Sequence, residues 1–201
     1  MAPHWHESGE QKAGTIERRT GFRPLEEMVI QGPLLYVGNP FYKTPKRVCN
    51  TNKAYDPIDL ERIPENYAPR TNYGPAVPMD EYRRRMTKCR WDQTKSHGDF
   101  YRLAIRNMIA LSGERSLVAA LIPPNVLHVD AIESIAFKNT NDLLDFAGLS
   151  FSLILDFLVK ASGISNLRSS YASQLPFLRL GDLIRNRVVA LSSLSDKYVQ
   201  L

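Results

Sequence analysis

Two segments concentrate basic side chains, and the chemistry such clusters support is phosphate binding. Between Tyr82 and Gly98 six bases stand against one acid, Asp92: Arg83, Arg84, Arg85, Lys88, Arg90 and Lys95. Between Met28 and Tyr55 there are four bases and no acid: Lys43, Lys46, Arg47 and Lys53. Cations that bind nucleic-acid phosphates release counterions, so this binding is independent of sequence and weakens with salt.

These clusters predict contacts with the phosphates of a DNA backbone. The alternative is a solvated basic surface. The first patch consists of Arg83, Arg84, Arg85, Lys88 and Arg90, and the second of Lys43, Lys46 and Arg47. The whole chain has a formal net charge of +5 and a pI of about 9.2, which suits a polyanionic partner.

A short segment between Pro69 and Gly74 carries side chains that can read bases. Arginine pairs with guanine and asparagine with adenine in the major groove, so Arg70, Asn72 and Tyr73 are candidate base contacts on a loop. The alternative is an ordinary turn that uses Asn and Gly for their backbone freedom.

No independent active site is predicted, catalytic or metal-binding. The chain has no Gly-x-Ser-x-Gly elbow and no phosphate loop of the Gly-x-x-x-x-Gly-Lys type. His4-Trp-His6 could hold a metal, but a frayed terminus is the favoured interpretation. Cys49 and Cys89 are isolated, and the polar N-terminus lacks the apolar run of a signal peptide, so a cytoplasmic location is expected.

The elements that must position these residues divide near residue 100. Ten of the thirteen prolines lie in residues 1–100, which predicts loops and short strands there. Leu34 to Val37 is the best strand candidate, and Asp80 to Cys89 is predicted as a short helix.

Beyond residue 100, Phe100 to Leu111 is predicted as a helix. Arg102 and Arg106 would be polar anchors on it, flanking the recognition surface, or simply its solvent-facing side. Leu117 to Ile122 is predicted as a strand in the middle of a sheet, and Ala131 to Phe137 as the next strand.

Two long helices complete the prediction. The first runs from Thr140 or Asn141 to Ser162, and the second starts at Asp182 with Leu183, Ile184, Val188, Leu191 and Leu194 on its inner face. The only candidate membrane span, Leu143 to Val159, contains Asp145 and Asp156, so a buried helix and no membrane partner are expected.

The expected fold class is therefore α+β: a short mixed sheet with packed helices, a helix-rich C-terminal half and a proline-rich irregular N-terminal half. Residues 1–30 are predicted to be an arm, partly flexible, and residues 31–201 a single domain.

Three segments together resemble the target-recognition region of single-chain restriction–modification and phage-defence adenine DNA methyltransferases, the Type IIG-like enzymes. They are Ser112 to Asn125 with its double proline, the apolar run Phe151 to Phe157, and the loop from Leu167 to Pro176. Gly38-Asn-Pro-Phe-Tyr42 looks like a damaged form of that family's Asn-Pro-Pro-Tyr motif, with Phe41 in place of the second proline, and a strand-ending turn is the better account of it.

The resemblance implies an α+β domain that grips double-stranded DNA and selects the adenine to be presented, without catalysis of its own. S-adenosylmethionine binding and methyl transfer would belong to a methyltransferase domain or subunit elsewhere. Two alternatives stay open: a protein–protein docking or scaffold subunit of a larger defence complex, and a small stand-alone enzyme.

Overall fold

The fold of the chain was taken from a computed structural model, which describes residues 5–51 and 53–201. Within these ranges it is a mixed α+β protein with small sheets and six α-helices, as the composition pattern predicts. His4 lies outside the described residues. None of the helices in these ranges has the length and apolarity needed to cross a membrane.

The strands and helices are numbered in chain order. The strands are β1 (Ile16–Gly21), β2 (Val29–Ile30), β3 (Lys43–Pro45), β4 (Tyr55–Pro57), β5 (Thr71–Pro75), β6 (Lys88–Cys89), β7 (Asp92–Ser96), β8 (Arg102–Arg106), β9 (Ala119–Ile122), β10 (Leu127–His128) and β11 (Ile132–Ala136). The helices are α1 (Glu7–Lys12), α2 (Met79–Arg85), α3 (Thr140–Phe151), α4 (Leu153–Ala161), α5 (Ser169–Ala172) and α6 (Asp182–Ser192).

Two sheets and two hairpins organise the strands. One sheet has the order β1-β5-β2-β10, in which β2 and β10 are parallel and the other pairs are antiparallel. The other is antiparallel, with the order β11-β8-β9. The pairs β3-β4 and β6-β7 form separate two-stranded hairpins.

The three-stranded sheet is apolar on both faces because successive side chains of a strand point to opposite sides. Leu103 and Ile105 of β8 join a core formed with the C-terminal helices. Ala104, one position out of phase, joins a second core with Met28, Ile30 and other side chains from the N-terminal half. The sheet therefore separates two cores and is covered on each side.

Strand β9 lies at the edge of this sheet and not in its middle, which corrects the sequence prediction. The exposed edge of a strand leaves backbone groups unpaired. Here the backbone N–H of Gly38 donates to the carbonyl oxygen of Ala119 at 2.9 Å, and the Tyr198 hydroxyl donates to that of Leu121 at 2.7 Å. The edge is thus covered by other parts of the chain.

The predicted helix from Phe100 to Leu111 is wrong, because its central residues form strand β8. Arg102, Leu103, Ala104, Ile105 and Arg106 alternate with period two, and β8 pairs on both sides, with β11 and β9. This ladder and burial on both faces outweigh the helix propensity of the segment.

The helix predicted from Thr140 to Ser162 is interrupted at Ser152, where the backbone is extended. The Ser152 hydroxyl donates to the Leu149 carbonyl at 2.6 Å and accepts from the Leu155 N–H at 3.2 Å. It therefore closes α3 and caps α4. Arg115 donates to the carbonyls of Phe151 and Ser152 at 3.0 and 3.3 Å, which holds the break open.

A buried carboxylate directs α4 after the break. Asp156 accepts from the backbone N–H groups of Ser116 and Leu117 at 2.8 and 2.6 Å, and Arg115 lies 3.4 Å away. Both N–H groups belong to the segment that leads into β9. Asp156 thus ties the first turn of α4 to the three-stranded sheet.

Helix α6 packs against α3 through a close approach and an ion pair. A Cβ atom at Gly148 would lie 3.0–3.1 Å from side-chain atoms of Leu180, Ile184 and Val188, so the glycine permits this packing. Arg185 donates to both oxygens of the buried Asp145 at 2.8 Å, and these bonds lower the pKa of Asp145.

The inner face predicted for α6 is only partly right, since Val188 is buried while Leu183 and Leu191 are mostly exposed.

Three other predicted segments differ from the observed elements. The segment predicted as a strand from Leu34 to Val37 begins in a 3₁₀ turn, Gly32–Leu34. The helix predicted to reach Cys89 ends at Arg85, and Cys89 belongs to β6. Residues of the predicted arm form β1 and β2, which pair with β5, while the division at residue 30 stays a prediction.

Substitution of Asp156 by alanine is expected to destabilise the protein by about 2–4 kcal/mol, because two buried N–H groups lose their acceptor and Arg115 loses its partner. Chemical denaturation measures this loss. Asp142→Ala is the matched control, since its pair with the exposed Arg179 lies near the surface and is worth about 0–1 kcal/mol. Equal losses in the two variants would contradict this role of Asp156.

Candidate nucleic-acid interface

The first basic patch occupies one continuous piece of the chain, the end of α2 and the β6–β7 hairpin. The side chains of Arg83, Arg84, Lys88 and Arg90 are exposed. Arg84 donates to the Asp80 carbonyl and Lys88 to that of Thr94, each at 3.3 Å. In the described part of the chain none of these four cations forms an ion pair within 4.0 Å.

The hairpin that carries Lys88 and Arg90 is anchored by aromatic packing. Trp91 at its tip is 38% exposed, and its ring meets those of His97 and Phe100 edge-on at 5.8 Å. Lys95 lies 5.5 Å above the Phe100 ring. Because the tip is held in this way, the cations are presented from a fixed surface.

The acid of this segment, Asp92, is engaged within the turn. Its Oδ1 accepts from the backbone N–H of Thr94 at 2.9 Å and from the hydroxyl of the same residue at 2.5 Å. These bonds lower the pKa of Asp92. The carboxylate therefore shapes the hairpin and pairs with none of its cations.

Arg85 differs from the other members of this patch. It forms an ion pair with Glu81 one turn earlier and donates to the Thr15 hydroxyl at 2.5 Å. Its guanidinium therefore braces α2 against the start of β1.

The second patch belongs to the β3–β4 hairpin and is less free. Lys43 lies 5.2 Å above the Tyr42 ring, and Lys46 is 3.7 Å from Asp56. Arg47 is exposed beyond the end of β3. Of the three predicted contacts, Arg47 is therefore the most available to a phosphate.

Two of the three predicted base contacts between Pro69 and Gly74 are not available, because this segment is strand β5 inside the four-stranded sheet. Asn72 is 2% exposed and Tyr73 is 1% exposed. Tyr73 donates to the carboxylate of Glu7. Arg70 is half-buried and donates to the Pro45 carbonyl at 2.7 Å, which holds the β3–β4 hairpin.

Asn72 is the centre of a buried hydrogen-bond network. Its amide nitrogen lies 2.8 Å from Gln31 Oε1 and 3.0 Å from the Tyr55 hydroxyl, and its oxygen accepts from Thr20 at 2.8 Å. The same nitrogen is 3.3 Å from the Cys49 sulfur. With both polar atoms engaged, the amide has no free edge to offer to adenine.

The predicted anchors Arg102 and Arg106 lie on β8 and not on a helix. Arg102 is 1% exposed and donates to the backbone carbonyls of Val126 and Phe100. Burial lowers the pKa of Arg102 to about 10, so it stays charged at neutral pH. Arg106 is half-buried, and burial lowers its pKa too. The Arg102 guanidinium is therefore enclosed by the protein and is not an anchor on a helix surface, while its contact with DNA stays a prediction.

Arg102 instead lines a polar cavity of about 200 Å³ between α1, the end of α2, β8 and β10. The other polar or aromatic residues that line it are Trp5, Glu10, Arg85, Thr87, His97 and His128. His97 is 7% exposed, and its Nδ1 has no hydrogen-bond partner. Burial lowers the pKa of His97, so its ring is neutral at neutral pH.

Sequence reasoning missed the cavity because its walls come from distant segments. One local signal exists: Ser96 and Asp99 form a capping box around a 3₁₀ turn, His97–Asp99, a spacing that the sequence shows directly. That signal marks the turn at His97, but only the tertiary structure brings Arg102 to it.

The segment that looks like a damaged Asn-Pro-Pro-Tyr motif forms a tight turn. Asn39 is buried and its Oδ1 accepts from the backbone N–H of Phe41 at 2.7 Å. Phe41 lies in the core and Tyr42 stacks on Tyr36 at 4.8 Å. These residues have structural contacts, in agreement with the turn that the sequence predicts.

Asn72→Ala is expected to lower the free energy of unfolding by about 1–3 kcal/mol, because Gln31, Tyr55 and Thr20 lose a buried partner. Urea denaturation measures the change. Asn66→Ala is the control at an exposed asparagine and is expected to stay within about 0.5 kcal/mol of the parent. A stable Asn72→Ala variant with altered DNA-site preference would restore the base-reading role.

The resemblance to methyltransferase target-recognition regions rests on sequence patterns between His97 and Pro176. Comparison with protein-family models, with curated proteins and with solved structures finds no match to the chain.

Proposed function

We propose that this chain is a non-catalytic, sequence-reading DNA-binding module of a restriction–modification or phage-defence DNA methyltransferase. The observation that carries the DNA-binding part is the surface of α2 and the β6–β7 hairpin, where Arg83, Arg84, Lys88 and Arg90 are exposed and form no ion pair with a described residue. We call these four side chains the basic surface. The methyltransferase context rests on the sequence resemblance.

The basic surface suits phosphate contacts. Arginine is planar and binds phosphate oxygens in pairs, while lysine acts as a compact charge. Phosphate contacts set the register of a protein on a duplex, and sequence is then read by other side chains in the grooves. The four cations would set the register of the chain on the duplex, and no residue is assigned to reading the bases.

The proposed partners follow from this division. Double-stranded DNA would bind the basic surface, while an adenine-specific methyltransferase domain or subunit would hold S-adenosylmethionine and perform the transfer. A cytoplasmic location is part of the proposal and is supported by Cys49 and Cys89, which are buried free thiols, as is usual in reducing compartments.

Replacement of Arg83, Arg84, Lys88 and Arg90 by alanine is expected to weaken binding to a mixed-sequence duplex strongly at low salt. If each cation contacts one phosphate, the slope of log affinity against log salt falls by about 0.9 per residue, roughly 3.6 in all. Fluorescence anisotropy of a labelled duplex, titrated at several salt concentrations, measures both quantities.

The matched control removes four exposed cations elsewhere, Arg62, Lys138, Arg168 and Arg187. It lowers the net charge equally but leaves the basic surface intact. Equal loss in both variants would reduce the effect to overall charge. Absence of duplex binding by the well-folded parent at low salt would refute the DNA-binding proposal.

A protein–protein docking module is the second candidate, and helix α4 is the observation that favours it. Leu153, Ile154, Phe157 and Leu158 are 71%, 84%, 72% and 46% exposed. A contiguous exposed apolar patch of this kind is typical of interaction surfaces. A second copy of the chain is the occupant that we test, because it is the one partner that presents the same exposed apolar face when the protein is isolated.

Ile154→Glu combined with Phe157→Glu is expected to abolish concentration-dependent self-association, because two charges would have to be buried in the contact. Light scattering coupled to size-exclusion chromatography measures the mass. Leu183→Glu combined with Leu191→Glu adds the same charges to exposed apolar positions of α6 and should leave association unchanged. A parent protein that stays monomeric at all concentrations would exclude a second copy of the chain as the occupant of this face.

A further inference from the structure

The cavity beside the basic surface is lined by a buried cation, Arg102, that forms no ion pair with a described residue. Arg102 is 1% exposed, and its bonds to Val126 and Phe100 go to neutral carbonyls. Across residues 5–51 and 53–201 no carboxylate lies within ion-pair distance of it. A guanidinium removed from water is costly unless an anion compensates it.

A second polar group in the same cavity also lacks a partner. His97 Nδ1 is buried without a hydrogen bond, although buried polar atoms are normally satisfied. One nitrogen of a neutral imidazole donates and the other accepts, so Nδ1 can offer a proton to an anionic oxygen. The same cavity is therefore lined by a guanidinium without an ion-pair partner, that of Arg102, and by a potential donor without an acceptor, His97 Nδ1.

The other ionisable residues that line the cavity change its charge but form no ion pair with Arg102. Arg85 contributes a second guanidinium, already shared with Glu81. Glu10 contributes a carboxylate. Among the lining arginines and carboxylates, Arg85 and Arg102 stand against Glu10, and the Asp99 carboxylate acts on Arg102 from beyond ion-pair distance.

We propose that this cavity binds a phosphate group, with Arg102 and His97 as its principal contacts. The volume of about 200 Å³ lies below the roughly 300–1,000 Å³ of pockets for drug-sized ligands, so it suits a small oxyanion. Arginine bonds to phosphate oxygens are charge-assisted and among the strongest hydrogen bonds in proteins.

The position of the cavity suggests where the phosphate comes from. Arg85, Met86 and Thr87 line it, and they join the end of α2 to β6, between the two halves of the basic surface. A terminal phosphate of a nucleic-acid strand and a free small phosphate share the same recognition chemistry. Only the first of these sources rests on the proposed function.

The first experiment titrates inorganic phosphate into the full chain by isothermal calorimetry, in a buffer of constant ionic strength balanced with sodium chloride. We expect saturable binding to the parent. His97→Ala and Arg102→Met are each expected to weaken it at least tenfold, and Arg168→Met, at an exposed arginine, should leave it unchanged. His97→Ala keeps the test decisive if Arg102→Met does not fold.

The proposal is overturned if phosphate binds no better than chloride, or if His97→Ala and Arg168→Met bind it equally well. A resonance shift of the His97 ring during the titration, followed by nuclear magnetic resonance, would support direct contact.

A second experiment distinguishes the sources by comparing a 5′-phosphorylated duplex with the same duplex bearing 5′-hydroxyl groups. Tighter binding of the phosphorylated duplex, lost in His97→Ala, would indicate a strand end. Equal binding of the two duplexes, with inorganic phosphate still bound, would indicate a free small phosphate. Phosphate binding without any duplex binding would refute the proposed function and leave the cavity site intact.

Discussion

Burial of the β11-β8-β9 sheet on both faces is the constraint on which the rest of the structure depends. With one core on each side, the first four side chains of β8 are buried, including Arg102. Polar groups in such a place must be satisfied by the protein itself. The hydrogen bonds around this sheet are the result, and they fix the position of the helices.

Two buried carboxylates provide hydrogen-bond acceptors for polar groups around the sheet. Asp156 accepts from two backbone N–H groups before β9 and so holds the first turn of α4 against the sheet. Asp145 holds Arg185 and with it α6. Both acids lie in an apolar stretch that the sequence predicts as one long helix and that breaks at Ser152. The same side chains that count against a membrane span therefore arrange the C-terminal helices around the sheet.

The basic residues divide into two groups according to whether their side chains are buried or exposed. Arg102 on β8 and Arg70, just before β5, are buried or half-buried and donate to backbone carbonyls. Those at the end of α2 and on the β6–β7 hairpin stay exposed, while Tyr82 and Cys89 are the side chains that these segments bury in the core. Charge clustering in the sequence does not distinguish these groups.

Local composition, hydrophobic period and turn chemistry predict the α+β class, the strands near Leu117–Ile122 and Ala131–Phe137, the turn at Asn39 and the basic character of residues 83–90, because neighbouring residues are enough to produce these features. Four features could not be predicted in this way: the strand within Phe100–Leu111, the burial of Asn72, the helix break at Ser152 and the cavity that His97 shares with Arg102. Each depends on pairing or burial between residues far apart in the chain, and such contacts override local propensity because they decide which polar groups lose water.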